Sequence, residues 1–204
     1  MPISPIPQKS RREEYAGATH AALLDTAIEI FTDKGYQQTG IEVVARAARV
    51  TRGAFYHHFE DKRALFEAIV RLLQQQAAAR LQESARMEKD TRGQLRAGAA
   101  AFLEICSEPS YRRLVIQEAP AVLGSALCRE IGEAYPYGML IAGLRELHRA
   151  GKFDVENVYL AARMIGAMIC EASLLLEKSA EPDKFKAQAN AIVDRAISAF
   201  SPDS

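Results

Sequence analysis

The stretch Thr51-Arg52-Gly53-Ala54-Phe55-Tyr56-His57-His58-Phe59-Glu60-Asp61-Lys62 gathers side chains that suit contact with a polyanion. Thr51 can cap a helix or reach a phosphate. Arg52 projects from the first turn that follows, where a guanidinium can grip guanine O6 and N7 or a phosphate oxygen. Gly53 has no side chain, so a helix carrying it can lie close against another surface. Tyr56, His57 and His58 offer a hydroxyl and two imidazoles. Lys62 opens the next helix, where free N–H groups and the helix dipole already favour an anion. Thr39 is a further hydroxyl at a helix entrance. Taken singly, Tyr56 or either histidine is an ordinary half-buried aromatic of a helical bundle. The ordered set is not explained that way.

The elements that must position these residues are helices. Leu24, Ala27, Ile28 and Phe31 follow an i, i+3, i+4, i+7 stripe, and Gly35 after Lys34 is a helix stop. Ile41, Val44, Ala45 and Ala48 form a shorter stripe. Val50, Phe55 and Phe59 supply the apolar side of a third helix, and Asp61 is placed to cap a fourth that carries Leu65, Phe66, Ile69, Val70 and Leu73. Two short helices followed by a helix bearing exposed polar residues read as a helix-turn-helix, which sets side chains in the DNA major groove. No segment alternates apolar and polar residues between turns, so the expected fold class is all-α.

Charge agrees locally and not globally. Lys plus Arg and Asp plus Glu both number 26 in 204 residues. Between residues 46 and 63, however, Arg46, Arg49, Arg52, Lys62 and Arg63 face only Glu60 and Asp61. A cationic patch on a neutral chain is what attraction to phosphates requires.

Phe31, Gly35-Tyr36, Thr39, Ala45, Ala48, the run Val50 to Phe59, Lys62 and Leu65-Phe66 closely resemble the DNA-binding domain of TetR-family transcriptional regulators. The resemblance implies an N-terminal arm at 1–16, a DNA-binding domain at 17–66 with its helix-turn-helix at 40–59, and an effector-binding and dimerisation domain at 67–204. It implies a homodimer on a palindromic double-stranded operator, and DNA contacts at Thr39, Thr51, Arg52, Gly53, Tyr56, His57, His58 and Lys62. Two positions depart from the pattern. Arg49 stands where glycine is usual in the turn; it costs about 1–2 kcal/mol if the backbone is left-handed, adds a phosphate contact, or marks a different turn. Gly40 stands at the cap of the second helix, where Ser or Thr is usual.

Beyond residue 66 the resemblance lies only in length and helical layout, so the residues must speak for themselves. Phe102, Tyr111, Leu114, Tyr135, Tyr137, Met139, Met164 and Met168 are candidates for an apolar effector pocket, and equally the stuff of any helical core. Pro109, Pro120 and Pro136 interrupt helices there. In the last two helices, expected at about 155–178 and 183–200, Ala162, Gly166, Cys170 and Ser173 form a smooth small-residue face. Phe185, Ala189, Ile192, Ala196 and Phe200 form an apolar stripe. Together they are the candidate dimer interface, as two helices of a symmetric four-helix contact; internal packing is the alternative.

Several classes are disfavoured. There is no G-x-S-x-G, H-E-x-x-H or phosphate-binding glycine loop, so an enzyme is not expected, nor is a cofactor or metal. Cys106, Cys128 and Cys170 are too scattered for zinc or a disulfide framework and read as small apolar core residues rather than redox sensors. The apolar run 158–176 contains Arg163 and Glu171, so no membrane span is expected, and the start lacks an apolar leader core. The expectation is a cytoplasmic ligand-responsive repressor. A ligand-activated regulator, or a helical dimer without DNA, stays open.

Overall fold

The protein is described here by a computed structural model covering residues 11–200. Residues 1–10 of the expected N-terminal arm lie outside the described residues, and a helix already runs from Arg11. Among the described residues every regular element is helical, and the chain divides into two compact units, 1–69 and 70–204.

The first unit holds α1 (Arg11–Lys34), α2 (Ile41–Ala47), α3 (Arg52–His58) and the start of α4 (Lys62–Ala85). Its core follows the stripes read from the sequence at Ala27, Phe31, Val44, Phe55, Leu65, Phe66 and Ile69, all fully buried, and adds Leu23, while Ile28 is only half-buried. Gly35 (φ 87°) ends α1 and returns its N–H to the Phe31 carbonyl at 2.9 Å. At the other break, Arg49 has φ 57°, the only non-glycine with positive φ among the described residues. Its N–H bonds to Arg46 O (3.1 Å), and that of Val50 to Ala45 O (2.9 Å). This is a Schellman motif with arginine at its left-handed position. The turn is therefore built as in a glycine-bearing chain, and the backbone carries the steric cost. Thr51 Oγ1 then accepts the Ala54 N–H at 3.1 Å and Asp61 Oδ1 that of Ala64 at 2.7 Å, so α3 and α4 are both capped by side chains. Gly40, at the entrance of α2, makes no side-chain cap.

The second unit continues with α5 (Thr91–Ser107), a π-helical stretch (Tyr111–Glu118), α6 (Ala119–Leu123), α7 (Ser125–Ala134), α8 (Pro136–Arg149), α9 (Val158–Leu176) and α10 (Pro182–Ser198). Asp90 and Asn157 cap α5 and α9 through their side-chain oxygens. The prolines act as starts. Pro120, Pro136 and Pro182 sit in first turns, where a missing N–H costs nothing. Tyr135, before Pro136, leaves the helical region and separates α7 from α8. Helix α9 packs on α5, α8 and α10.

Its inner face corrects one reading. Ala162, Gly166 and Ser173 are buried within their own unit, so the small-residue face does not await a second chain. It accommodates Tyr137 of α8: a Cβ at Gly166 would fall 2.7 Å from Tyr137 Cζ and meet the hydroxyl at 2.8 Å. Cys170 is half-buried on the same side, its Sγ 3.9 Å from the Tyr137 hydroxyl. Small side chains are needed here because an aromatic ring, not a partner backbone, comes close. Gly166→Leu should overfill this seat and lower unfolding stability by about 1–3 kcal/mol without changing oligomeric state. Denaturant titration with sedimentation checks this; a stable, folded monomer would return the face to a subunit interface.

Candidate nucleic-acid interface and ligand cavities

Helix α3 is partitioned sharply. Phe55 and, at its end, Phe59 point into the core, while Thr51, Arg52, Gly53, Tyr56 and His57 are exposed. Arg46 and Arg49, on the α2 side of the turn, are exposed as well. Arg52 is restrained in the free chain. Its Nη1 lies 3.3 Å from Glu42 Oε1, and its Cζ stands 5.6 Å from the Tyr56 ring centroid. The Tyr56 hydroxyl, then the Glu42 carboxylate, hold the guanidinium pKa above its ordinary value. Glu42, on α2, was missed in the sequence because ten residues and a turn separate it from Arg52.

Three residues expected at phosphates are engaged inside the unit. Thr39 is only 2% exposed, and its hydroxyl donates to Gly35 O at 2.9 Å. That bond fastens the α1–α2 loop. Lys62 Nζ donates to Tyr36 O (3.0 Å) and Thr39 O (3.1 Å) and sits 4.1 Å from the Tyr36 ring centroid. It ties the first turn of α4 to the same loop, since carbonyls in a buried bend need a donor. His58 turns half inward, its ring 5.8 Å from that of His20 on α1 and 5.4 Å from His57. Burial, with His20 and His57 beside it, pushes its pKa below the ordinary histidine value.

Two of the cavities in the second unit, of about 240 Å³ each, are separated by Phe102 and Tyr137, whose ring centroids are 6.3 Å apart. The first is lined chiefly by α5 and α8, with Leu95, Met139 and Leu140, and its one charged residue is Glu146, which accepts the Thr91 hydroxyl at 2.9 Å. The second has Tyr111, Val115 and Ile116 from the π-helical stretch; the i→i+5 winding puts residues four and five apart on one face. Tyr111 donates its hydroxyl to Gln74 Oε1 of α4 at 2.9 Å, and burial raises its pKa, which keeps it a neutral donor.

Of the residues expected in a pocket, Phe102, Tyr111, Tyr137 and Met139 line these cavities. Leu114 is instead fully buried core, and Tyr135 occupies the α7–α8 break outside both walls. Met164 and Met168 lie on the outer side of α9, in an open apolar groove with Leu175, Phe185, Ala189 and Ile192. Met164 is 61% exposed and Ile192 57%. Ala196 is half-buried, and Phe200 packs on Phe153 at 5.5 Å. The sequence offered Met164 and Met168 to a pocket, and the structure puts them in this groove, while Ala162, Gly166 and Ser173 pack inward. Cys106 is buried, Cys128 and Cys170 are half-buried, and all three are free thiols.

Residues 23–69 match the family described as bacterial regulatory proteins, tetR family. Residues 93–200, more than half of the chain, match the tetracyclin repressor-like C-terminal domain. The chain belongs to the TetR family. It is similar to the transcriptional regulator AcuR of Cereibacter sphaeroides, with 40% identity over 62 residues covering 28% of each chain. To the HTH-type transcriptional regulator AcrR of Shigella flexneri it is 33% identical over 108 residues, 52% of this chain and 50% of that one. The chain thus spans half or less of the length of these curated relatives. A solved TetR-family transcriptional regulator from Pectobacterium atrosepticum superposes with a TM-score of 0.71 at 27% identity, covering 95% of this chain and 98% of the other.

Beside this TetR-type helix-turn-helix, Lys62 is a clamp. Lys62→Met should destabilise the first unit by about 1–2 kcal/mol, the worth of charge-assisted bonds in a part-exposed site. Urea unfolding followed by amide exchange in α2 would register it. Unchanged stability, with a log–log salt slope of DNA binding shallower by about one, would instead make Lys62 a phosphate contact.

Proposed function

We propose that this TetR-family chain is a cytoplasmic, homodimeric transcriptional repressor that binds a palindromic operator through α3 and is released by a small, mostly apolar effector held in its second unit. The observation that carries this reading is the outward face of α3. Arg52, Tyr56 and His57 stand beside Arg46 and Arg49 with no apolar side chain of their own unit covering them. Gly53 supports it from another direction. A Cβ there would meet nothing nearer than Thr51 Oγ1 at 4.0 Å. Glycine inside a helix costs about 0.5–1 kcal/mol relative to alanine, and no neighbour in the chain demands it. A surface approaching from outside does.

The dimer reading rests on the apolar groove of α9 and α10. Met164, Leu175 and Ile192, each more than half exposed, stand together in this groove, and a grouped apolar surface of this kind suits an interaction site. A second copy of the same two helices covers it as a four-helix contact, and a palindromic operator asks such a dimer for two α3 helices about 34–36 Å apart, one DNA turn. The effector reading rests on the cavities. Gln74, in the wall of the second, belongs to α4, whose first turn carries Lys62. An effector that favours one placement of α4 shifts the population between DNA-competent and DNA-free dimers only by its differential affinity for them.

Arg52→Ala should cost about 1–3 kcal/mol on the operator and relax preference at one base position, read by competition binding with randomised duplexes. Equal losses on operator and random DNA would remove Arg52 from base readout.

Ile192→Asp places a charge in the groove and should yield a folded monomer with strongly reduced operator affinity. A variant that still sediments as a dimer at low concentration would put the interface elsewhere.

A further inference from the structure

The two cavities have nearly the same volume and share a wall, yet their charges differ. Around the first, the charged residue is an acid, Glu146. Around the second, the charged residues are Arg129 and Arg163, and no Asp or Glu belongs to the wall. The acids of α7 beside it are engaged elsewhere: Glu130 pairs with Arg71 at 3.7 Å, and Glu133 accepts the Tyr159 hydroxyl at 2.7 Å. Arg112, in the π-helical stretch, is bound to Glu177 at 3.0 Å.

Arg163 has the form of a prepared site. It is half-buried, and its Cζ lies over the Tyr137 ring, 4.2 Å from the centroid, which holds the guanidinium at the cavity wall. A guanidinium stacked this way keeps its N–H fork for a planar oxyanion. Gln74 is oriented too: its carbonyl oxygen is occupied by Tyr111, which leaves the amide N–H groups as donors. Next to these donors stand Phe102, Val115 and Ile116, which offer only apolar surface.

We propose that the second cavity binds an amphipathic carboxylic acid, with its carboxylate on Arg163, assisted by Arg129 and the Gln74 amide, and its hydrocarbon part against Phe102, Tyr111, Val115 and Ile116. This rests on the effector reading above and narrows it, since a purely apolar molecule would cover the half-buried Arg163 guanidinium without giving it a counter-charge, while Arg129 stays exposed at the rim. Desolvating a cation without a partner is unfavourable, whereas a carboxylate supplies both charge and acceptors.

The test is calorimetric titration of the full-length protein with octanoate and with octan-1-ol, which share a chain and differ in the head group. Wild type is expected to bind octanoate at least about tenfold tighter than the alcohol, the worth of one charge-assisted hydrogen bond. Arg163→Gln should bring octanoate down to the level of the alcohol and leave the alcohol unchanged. Arg163→Lys, which keeps the charge and loses the fork, should retain a weaker preference and guards against a folding defect in the first variant. Equal binding of acid and alcohol by wild type, or equal loss of both in Arg163→Gln, would overturn the carboxylate assignment while leaving an apolar effector in place. Absence of binding by either probe, with other neutral apolar compounds binding, would overturn it in the same way. If no apolar compound of any kind binds, the effector reading itself falls.

Discussion

Tyr137 lodged against Gly166 is the contact on which the arrangement of the second unit depends. The ring comes so near the α9 backbone that no side chain fits between them. That fixes the rotation of α9 about its own axis. Ala162, Gly166 and Ser173 must face inward, and Leu160, Met164 and Leu175, on the other side, must face outward. The same ring, with Phe102, separates the two cavities and supports Arg163. One packing decision therefore sets the cavity walls, the orientation of a buried-edge cation and the exposed groove. Cores are close-packed, so such a seat has little slack.

The first unit achieves its geometry by opposite means, with many small polar ties around an aromatic core. Phe31, Tyr36 and Phe66 meet at centroid distances of 4.9–5.9 Å. The loop between α1 and α2 is held by Thr39 on Gly35 and by Lys62 on Tyr36 and Thr39. These bonds satisfy carbonyls that the bend would otherwise leave without donors. Arg49 is the costly member. It accepts a left-handed backbone and keeps a cation at the edge of the exposed face. A strained residue persists where its surroundings over-determine it, and such places are often functional. The pairing of Arg52 with Glu42 adds an internal counter-charge, so under the proposed function Arg52 exchanges a solvent-screened carboxylate for a phosphate or base edge.

Charge segregation between the two cavities has a simple physical consequence. Phe102 and Tyr137 belong to both walls, so a ligand moving either ring alters both spaces. The basic cavity also includes Gln74 from α4, the helix that runs on from the first unit. A ligand that takes hydrogen bonds from that amide engages α4 directly rather than through a chain of intermediates.

Much of this architecture is legible in the sequence. The helical periods at 24–31 and 41–48, the stop at Gly35, the cap at Asp61 and the inward pair Phe55 and Phe59 follow from local rules of spacing, capping and turn chemistry, which act within a few residues. The outward set Arg52, Gly53, Tyr56 and His57 was legible for the same reason, since a short helix has few faces and two phenylalanines claim one of them. What required the tertiary structure involved pairs distant in sequence. Nothing local says that Thr39 and Lys62 spend their donors on the α1–α2 loop, or that Glu42 pairs with Arg52. On α9 both faces are plausible core by composition, because methionines and small residues each pack well. The choice fell to a ring on another helix, Tyr137, which accepts only the small face. Likewise Arg129 and Arg163 look like solvated surface charges in sequence. They line one cavity without a carboxylate because α7, α9 and the π-helical stretch converge there, and which charges share a wall is decided by packing rather than by spacing along the chain.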